Sequence, residues 1–116
     1  MTAADGLKDR LRADLLTSMR ARQSLETGVI RSLLAAIDNA EALPVDQDRP
    51  ASLQREFGGE GTEIARRILS IHDIRVVIDT EIQRRLDAAA DLEHLGQADR
   101  AGTLSQEAQV ARRYAI

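Results

Sequence analysis

The chain has 116 residues and a formal net charge of −3, so it can form one hydrophobic core and is not a polycation that binds nucleic acid nonspecifically. It contains no cysteine, which excludes disulfides and thiolate metal sites, and no apolar run approaches the ~20 residues that span a bilayer. Because 43% of the residues are hydrophobic but only 2% are aromatic, aliphatic side chains and alanine must build the core, which favours closely packed helices.

The first helix is predicted from Leu7 to Ala21, where apolar residues repeat at helical spacing. Residues 1–6 lack the basic start and apolar core of a signal peptide, so a cytoplasmic location is expected. Thr2 and Asp5 are both candidate N-caps. Charged residues fill the remaining positions, which indicates a half-buried amphipathic helix. The predicted apolar stripe consists of Leu7, Leu11, Leu15, Leu16 and Met19.

A second helix is predicted from Leu25 to Ala42, after a short connection at residues 21–24. Ser24 or Thr27 is the candidate N-cap, and Glu26 lies near the positive end of the helix dipole. The short connection makes the two helices an antiparallel hairpin. The apolar positions of this helix are Val29, Ile30, Leu33, Leu34 and Ile37.

Residues 43–61 interrupt the helical pattern. Pro44 and Pro50 exclude a continuous helix, and three glycines near residue 60 add backbone freedom. We favour a flexible surface linker here over a functional loop. The following segment, Thr62 to Leu69, is either an extended strip across the bundle or one or two helical turns.

The third helix is predicted to begin at Ile71, because Ser70 and Asp73 resemble a capping box, and to run to Leu95 with Gly96 as its C′ residue. Its predicted inner positions are Ile71, Ile74, Ile78, Ile82, Leu86 and Ala89. A fourth helix is predicted from Ala98 to Tyr114, and its predicted inner positions are Ala101, Leu104, Ala108 and Ala111. The expected fold class is therefore all-α, a single domain (residues 1–116) with a four-helix bundle of two hairpins.

No catalytic, cofactor or metal site is expected. His72 and His94 are 22 positions apart on one predicted helix, about 33 Å at ~1.5 Å per residue, so they cannot share a site and are predicted to lie on the surface. Glu81 precedes Arg84 and Arg85 by three and four positions, as in solvated ion pairs. No group of residues has the spacing of a zinc or calcium site, and the glycines at 58–61 lack the ending of a phosphate-binding loop.

The cationic residues are fifteen arginines and one lysine. The planar guanidinium suits phosphate and carboxylate equally well, so each arginine either contacts RNA or forms a salt bridge on the helix surface. We favour the salt bridge for any single arginine, and consider the group around the first hairpin the best RNA candidate because Arg20 and Arg22 flank the turn. The candidate RNA-binding residues are Arg20, Arg22, Arg31, Arg84 and Arg85.

Four blocks of sequence are similar to the GatB/YqeY family. Leu7–Leu11 through Met19–Arg22 resembles the family's opening, and Val29–Ile37 resembles its V-I-R-x-L-x-A-A block. Glu81–Arg85 resembles its E-I-x-x-R step. The region from Ala89 to Tyr114 resembles the part in which one helix ends at L-G-x and the next ends near a tyrosine. The resemblance covers the chain except residues 43–61.

This resemblance implies a fold of two helical bundles, of which the chain is expected to supply only the first. The second would follow a Y-L-P boundary, where this chain has Tyr114, Ala115 and Ile116. The related module is an appendage of the GatB component of the glutamine-dependent tRNA amidotransferase, where it helps to hold tRNA, while amide transfer occurs elsewhere in that enzyme. The family is labelled by this kinship as carbon–nitrogen ligases with glutamine as amido-N-donor.

The resemblance therefore implies a noncatalytic helical module whose partner is tRNA or an amidotransferase or translation component, with Arg20, Arg22 and Arg31 as the positions carried over. The alternative is a helical protein–protein interaction or homo-oligomeric module without RNA binding, since the Ala-rich C-terminal helices have a stripe that one small bundle does not cover. An enzymatic alternative requires turnover that depends on ATP and glutamine. No membrane partner is expected.

Overall fold

The computed structural model describes residues 1–42 and 66–116, and the predicted loop at 43–61 lies outside these ranges. The described residues form helices α1 (Ala3–Arg20), α2 (Ser24–Ala42), α3 (Ile71–His94) and α4 (Ala98–Arg112), with no strand among them. The all-α prediction is confirmed. Of the segment Thr62 to Leu69, residues 62–65 also lie outside the described ranges, and residues 66–70 have no regular secondary structure.

α1 begins one turn earlier than predicted, because a capping box starts it. The Thr2 hydroxyl accepts a hydrogen bond from the Asp5 N–H at 3.1 Å, and the Asp5 carboxylate accepts one from the Thr2 N–H at 3.1 Å. Thr2 is therefore the N-cap, and Asp5 is the acid three residues later. The prediction that began the helix at Leu7 was wrong because it relied on the first apolar residue.

α1 and α2 are joined by a tight turn in which backbone N–H groups close the end of α1. The Gln23 N–H donates to the Ser18 carbonyl at 2.9 Å and the Arg22 N–H donates to the Met19 carbonyl at 3.1 Å, the two bonds of a Schellman motif. Arg22 holds the left-handed position of this motif, with φ of 58°. The turn leads directly into α2, which begins at Ser24.

The predicted N-caps of α2 were both wrong. Ser24 is the first helical residue rather than the residue before the helix, so Gln23 holds the flanking position. Thr27 lies inside the first turn, and its hydroxyl is 2.8 Å from the Ser18 hydroxyl of α1. The two hydroxyls instead join the helices across the hairpin.

The second hairpin, α3 and α4, also has a capping box at its start and a Schellman motif at its turn, and glycine holds the left-handed position of that turn. Ser70 and Asp73 form the predicted capping box, with both reciprocal bonds at 3.0 Å. At the other end of α3 the Gly96 N–H donates to the Glu93 carbonyl at 3.0 Å and the Gln97 N–H to the Leu92 carbonyl at 2.9 Å. Gly96 has φ of 73°, so its prediction as the C′ residue is confirmed.

α2 lies at the centre of the bundle. It packs along α1 and also contacts α3 and α4, while α3 and α4 pack along each other. The fully buried side chains of the core include Leu11, Val29, Ile30, Leu33, Ile37, Ile74 and Ile78. None of the helices in the two described ranges has the length and apolar content that a membrane span requires.

The predicted stripes were wrong at their edges. Ile71, at the first position of α3, is 56% exposed, and Leu16 and Met19 of α1 are 54% and 46% exposed. α1 packs mainly against α2, so only a narrow side of it is covered. Leu86 and Leu104 are half-buried, and the three predicted inner alanines of α4 are buried.

Candidate nucleic-acid interface

Three arginines lie around the turn between α1 and α2. Arg20 ends α1, Arg22 holds the left-handed position of the turn, and both side chains are exposed. Arg31 is exposed on α2, and its Nη2 lies 3.8 Å from the Met19 Sδ, so its guanidinium reaches back to the last turn of α1. Within residues 1–42 and 66–116, none of the three forms an ion pair. Arg20, Arg22 and Arg31 are called the hairpin arginines below.

Arg84 and Arg85 lie elsewhere, on α3, and both have acidic partners. Glu81 is 3.3 Å from Arg84 and 3.5 Å from Arg85, so the predicted ion pairs are present. Arg85 also reaches Glu107 of α4 at 3.4 Å, and its side chain is only 12% exposed. Arg85 therefore connects α3 to α4, whereas the Arg84 side chain is 75% exposed.

Of the remaining arginines, some form ion pairs and others do not. Arg67 lies 3.4 Å from Asp73, and Arg113 lies 3.2 Å from Glu26. Arg75 and Arg112 are exposed and, among the residues that the structure describes, make no ion pair. Arg75 lies on α3 and Arg112 at the end of α4, so their location in the chain, not the lack of an ion pair, distinguishes them from the hairpin arginines.

A buried cluster of charges, which the sequence did not reveal, lies at the opposite end of the α1–α2 hairpin. The Lys8 Nζ is 2.7 Å from Glu41 Oε1, and both residues are less than a tenth exposed. Arg66 approaches the same oxygen at 3.6 Å, and the Arg67 N–H donates to the Glu41 backbone carbonyl at 2.8 Å. These contacts attach the chain at residues 66 and 67 to the end of α2. The only local sequence signal for this cluster was that Lys8 lies three positions before Leu11, and therefore on the side of α1 that carries the apolar stripe.

Tyr114 closes the end of α4 onto α1. Its hydroxyl donates to Asp14 Oδ2 at 2.6 Å, and the Arg10 guanidinium lies 4.7 Å from the ring centroid. Arg10 also donates to the Arg113 carbonyl at 3.0 Å. Burial, followed by the hydrogen bond to the Asp14 carboxylate, raises the pKa of the Tyr114 hydroxyl above its ordinary 10.0. The tyrosine is a structural anchor.

The two histidines are both exposed, as predicted, His72 in the first turn of α3 and His94 at its last residue. In the described part of the chain, no three histidine, aspartate or glutamate side chains are grouped so that they could hold a metal ion.

A groove of about 460 Å³ opens beside the hairpin turn, between the start of α2 and the second half of α4. The Glu26–Arg113 ion pair borders it. Its other main lining residues are Gln23, Ser24, Leu25, Gln106, Gln109 and Val110. This hairpin groove brings together residues more than eighty positions apart, so no local pattern could have identified it.

Comparison of the chain with protein-family models, with curated proteins and with solved structures finds no match. The resemblance to the GatB/YqeY family therefore stays a prediction.

Proposed function

We propose that this chain is a noncatalytic helical module that binds tRNA through the hairpin arginines, as the resemblance to the GatB/YqeY family implies. The observation that carries the proposal is the conformation of Arg22. A left-handed backbone is unfavourable for a residue with a Cβ atom, and glycine is the usual residue at this position of a Schellman motif.

The equivalent turn between α3 and α4 has Gly96, with nearly the same φ. At the first turn the chain has Arg22 instead of glycine. Its exposed side chain forms no ion pair with the described residues, so no ion pair compensates the unfavourable backbone conformation. Unfavourable backbone conformations at non-glycine residues are concentrated at functional sites. An arginine presented to solvent at the tip of a hairpin suits contact with a phosphate group.

The proposed binding is weak and depends on salt. A net charge of −3 opposes the approach of RNA, so the affinity must come from the local patch. Neutralising about three phosphates gives a slope of log K against log salt of roughly −2 to −3. Affinity should then fall about 15- to 60-fold between 50 and 200 mM salt.

The test measures tRNA binding at several salt concentrations for the wild type and for the triple variant Arg20→Ala, Arg22→Ala, Arg31→Ala. The variant should lose affinity at low salt, and its salt slope should flatten by about the number of phosphates lost. The control triple variant, Arg12→Ala, Arg75→Ala, Arg100→Ala, removes the same charge from exposed helix positions. It should retain most of the slope.

Two results would overturn the proposal. One is a wild-type affinity for tRNA, at low salt, no greater than that of an unrelated acidic protein of similar size. The other is an equal loss of slope in both triple variants, which would mean that net charge rather than the hairpin sets the binding.

Under this proposal, the carbon–nitrogen ligase label with glutamine as amido-N-donor describes an amidotransferase or translation component that the module accompanies. The enzymatic alternative makes a different prediction, namely consumption of ATP and glutamine by the purified chain. Such turnover, if it persisted at constant specific activity through further purification, would replace the noncatalytic proposal.

A helical interaction or homo-oligomeric module is the second candidate, and one observation favours it. Between α2 and α3 lies a groove of about 480 Å³ in which Val76 is 50% exposed beside two small residues, Ala35 and Ala36. Small residues allow another helix to approach closely. Light scattering over a dilution series tests this candidate, because a homo-oligomer dissociates on dilution whereas a monomer keeps a constant mass.

A further inference from the structure

The hairpin groove has an unusual concentration of neutral amide groups. Gln23 comes from the turn, and Gln106 and Gln109 lie three positions apart on α4. All three side chains are exposed, and within the described residues none of their carboxamides makes a hydrogen bond. Each carboxamide offers one acceptor oxygen and two donor hydrogens. The groove thus presents unused donors and acceptors from two separate elements.

The remaining surface of the groove complements these amides. Val110 is 5% exposed and Leu25 is half-buried, so together they give the groove an apolar part. The carboxylate of Glu26 is held by Arg113 at 3.2 Å, which reduces its repulsion of an anionic ligand. A volume of about 460 Å³ lies within the range of small-molecule sites, roughly 300–1,000 Å³.

We infer that the hairpin groove receives a single unpaired nucleotide of RNA bound by the hairpin arginines, an inference that rests on the proposed function. Glutamine side chains pair with the hydrogen-bonding edges of bases, most favourably with adenine. The apolar part accommodates the face of the base. Because Arg22 immediately precedes Gln23 in the chain, it is the hairpin arginine expected to contact the phosphate of the same or the adjacent nucleotide.

The requirement for an unpaired nucleotide follows from chemistry. Sequence-specific recognition of RNA uses splayed bases, whose Watson–Crick and Hoogsteen edges are both accessible. In an RNA duplex the Watson–Crick edge is paired, and the deep, narrow major groove keeps side chains from the Hoogsteen edge. A protein ligand fits less well, since six of the eight lining residues are polar or charged and the centres of protein interfaces are enriched in aromatic and apolar residues. The hairpin groove is therefore expected to discriminate between single strands and duplexes.

The test compares the wild type with the variant Gln106→Ala, Gln109→Ala in binding a short adenine-rich single-stranded RNA and a duplex RNA of equal length. The variant should bind the single strand about 5- to 100-fold more weakly, with an unchanged salt slope, because base contacts release no counterions. Its affinity for the duplex should remain that of the wild type. Alanine favours helix, so α4 should stay folded, which circular dichroism checks.

The control variant Gln83→Ala removes an exposed glutamine from α3, away from the groove, and should bind both RNAs as the wild type does. Equal weakening on both RNAs, or no weakening on the single strand, would overturn the inference, and so would a change in oligomeric state of the variant alone. In these cases wild-type tRNA binding and its dependence on the hairpin arginines persist. Failure of the proposed function looks different, since the wild type would then bind no RNA.

Discussion

Replacing Arg22 by glycine should stabilise the fold by about 0.5–1 kcal/mol. The left-handed conformation is unfavourable by ~1–2 kcal/mol for a residue with a Cβ atom, and glycine avoids this penalty. Glycine also increases the conformational entropy of the unfolded chain, which offsets ~0.4–1 kcal/mol of the gain. The two hydrogen bonds of the turn, at 2.9 and 3.1 Å, are made by backbone groups, so the substitution leaves them in place.

Thermal unfolding followed by circular dichroism measures the effect. For a chain of 116 residues, a gain of this size corresponds to a rise in Tm of about 2–6 °C. Arg22→Ala removes the same charge but keeps the Cβ atom, so its stability should stay within ~0.5 kcal/mol of the wild type. Gly96→Ala is the reciprocal variant. Its new Cβ would meet no atom within 4 Å, so a loss of about 0.5–1 kcal/mol would come from the backbone alone.

The reasoning would be refuted if Arg22→Gly melted at or below the wild-type temperature while Gly96→Ala was destabilised. That combination would mean that the Arg22 side chain contributes stability to the folded chain that compensates its backbone conformation. An equal rise in Tm for Arg22→Gly and Arg22→Ala would also contradict the expected backbone effect. Both variants remove the charge, so the gain would then come from relief of charge repulsion.

Three further substitutions test side-chain contacts of the fold. Tyr114→Phe removes a hydrogen bond to a carboxylate and should destabilise the fold by ~1–2 kcal/mol, as measured by urea unfolding. Because the pKa of Tyr114 is raised in the folded state, the stability of the wild type should also decline as the pH rises above about 10. The variant should lack this decline. Asp73→Asn removes a carboxylate whose pKa is lowered below 3.8 by hydrogen bonds from Ser70. The Tm of the wild type and that of the variant should therefore differ at neutral pH, and they should converge as the pH falls through that lowered pKa. Lys8→Met should lower the free energy of unfolding by ~2–4 kcal/mol, because the buried Glu41 carboxylate loses the Lys8 charge. Adding Glu41→Met should restore much of this loss. A double-mutant cycle by chemical denaturation measures both effects.

The helices and both ends of α3 could be predicted because the signals are local. Ser70 and Asp73 are three residues apart, and Gly96 directly follows the last apolar turn of α3, so neighbouring residues fix both ends. Thr2 was one of the two predicted N-caps of α1 and is its N-cap, but the predicted helix began one turn too late because it was started at the first leucine. Ile71 was predicted to be buried because the helical period shows on which side of α3 a residue lies, but not whether a neighbouring helix covers that position.

The contacts between distant parts of the chain, including those that form the hairpin groove, are not local. Lys8 pairs with Glu41 across 33 positions, and Tyr114 reaches Asp14 across 100. The hairpin groove depends on how α4 lies against the start of α2, which no pattern within either helix specifies. Arg20, Arg22 and Arg31 could be grouped from sequence because a two-helix hairpin is a short-range arrangement, but the left-handed conformation of Arg22 required the turn geometry.

That conformation gives the proposed function a test in which stability and binding change in opposite directions. If Arg22 serves the fold, Arg22→Gly should weaken the fold and leave the salt slope of tRNA binding unchanged. If it serves binding, the same variant should melt at a higher temperature and its slope should flatten by about one unit, the loss of one phosphate contact. Trade-offs of this kind are expected where an active position retains a locally unfavourable conformation. Gly96→Arg supplies the complementary measurement, because an arginine at the second hairpin should reduce stability there without reproducing the slope contributed by the first.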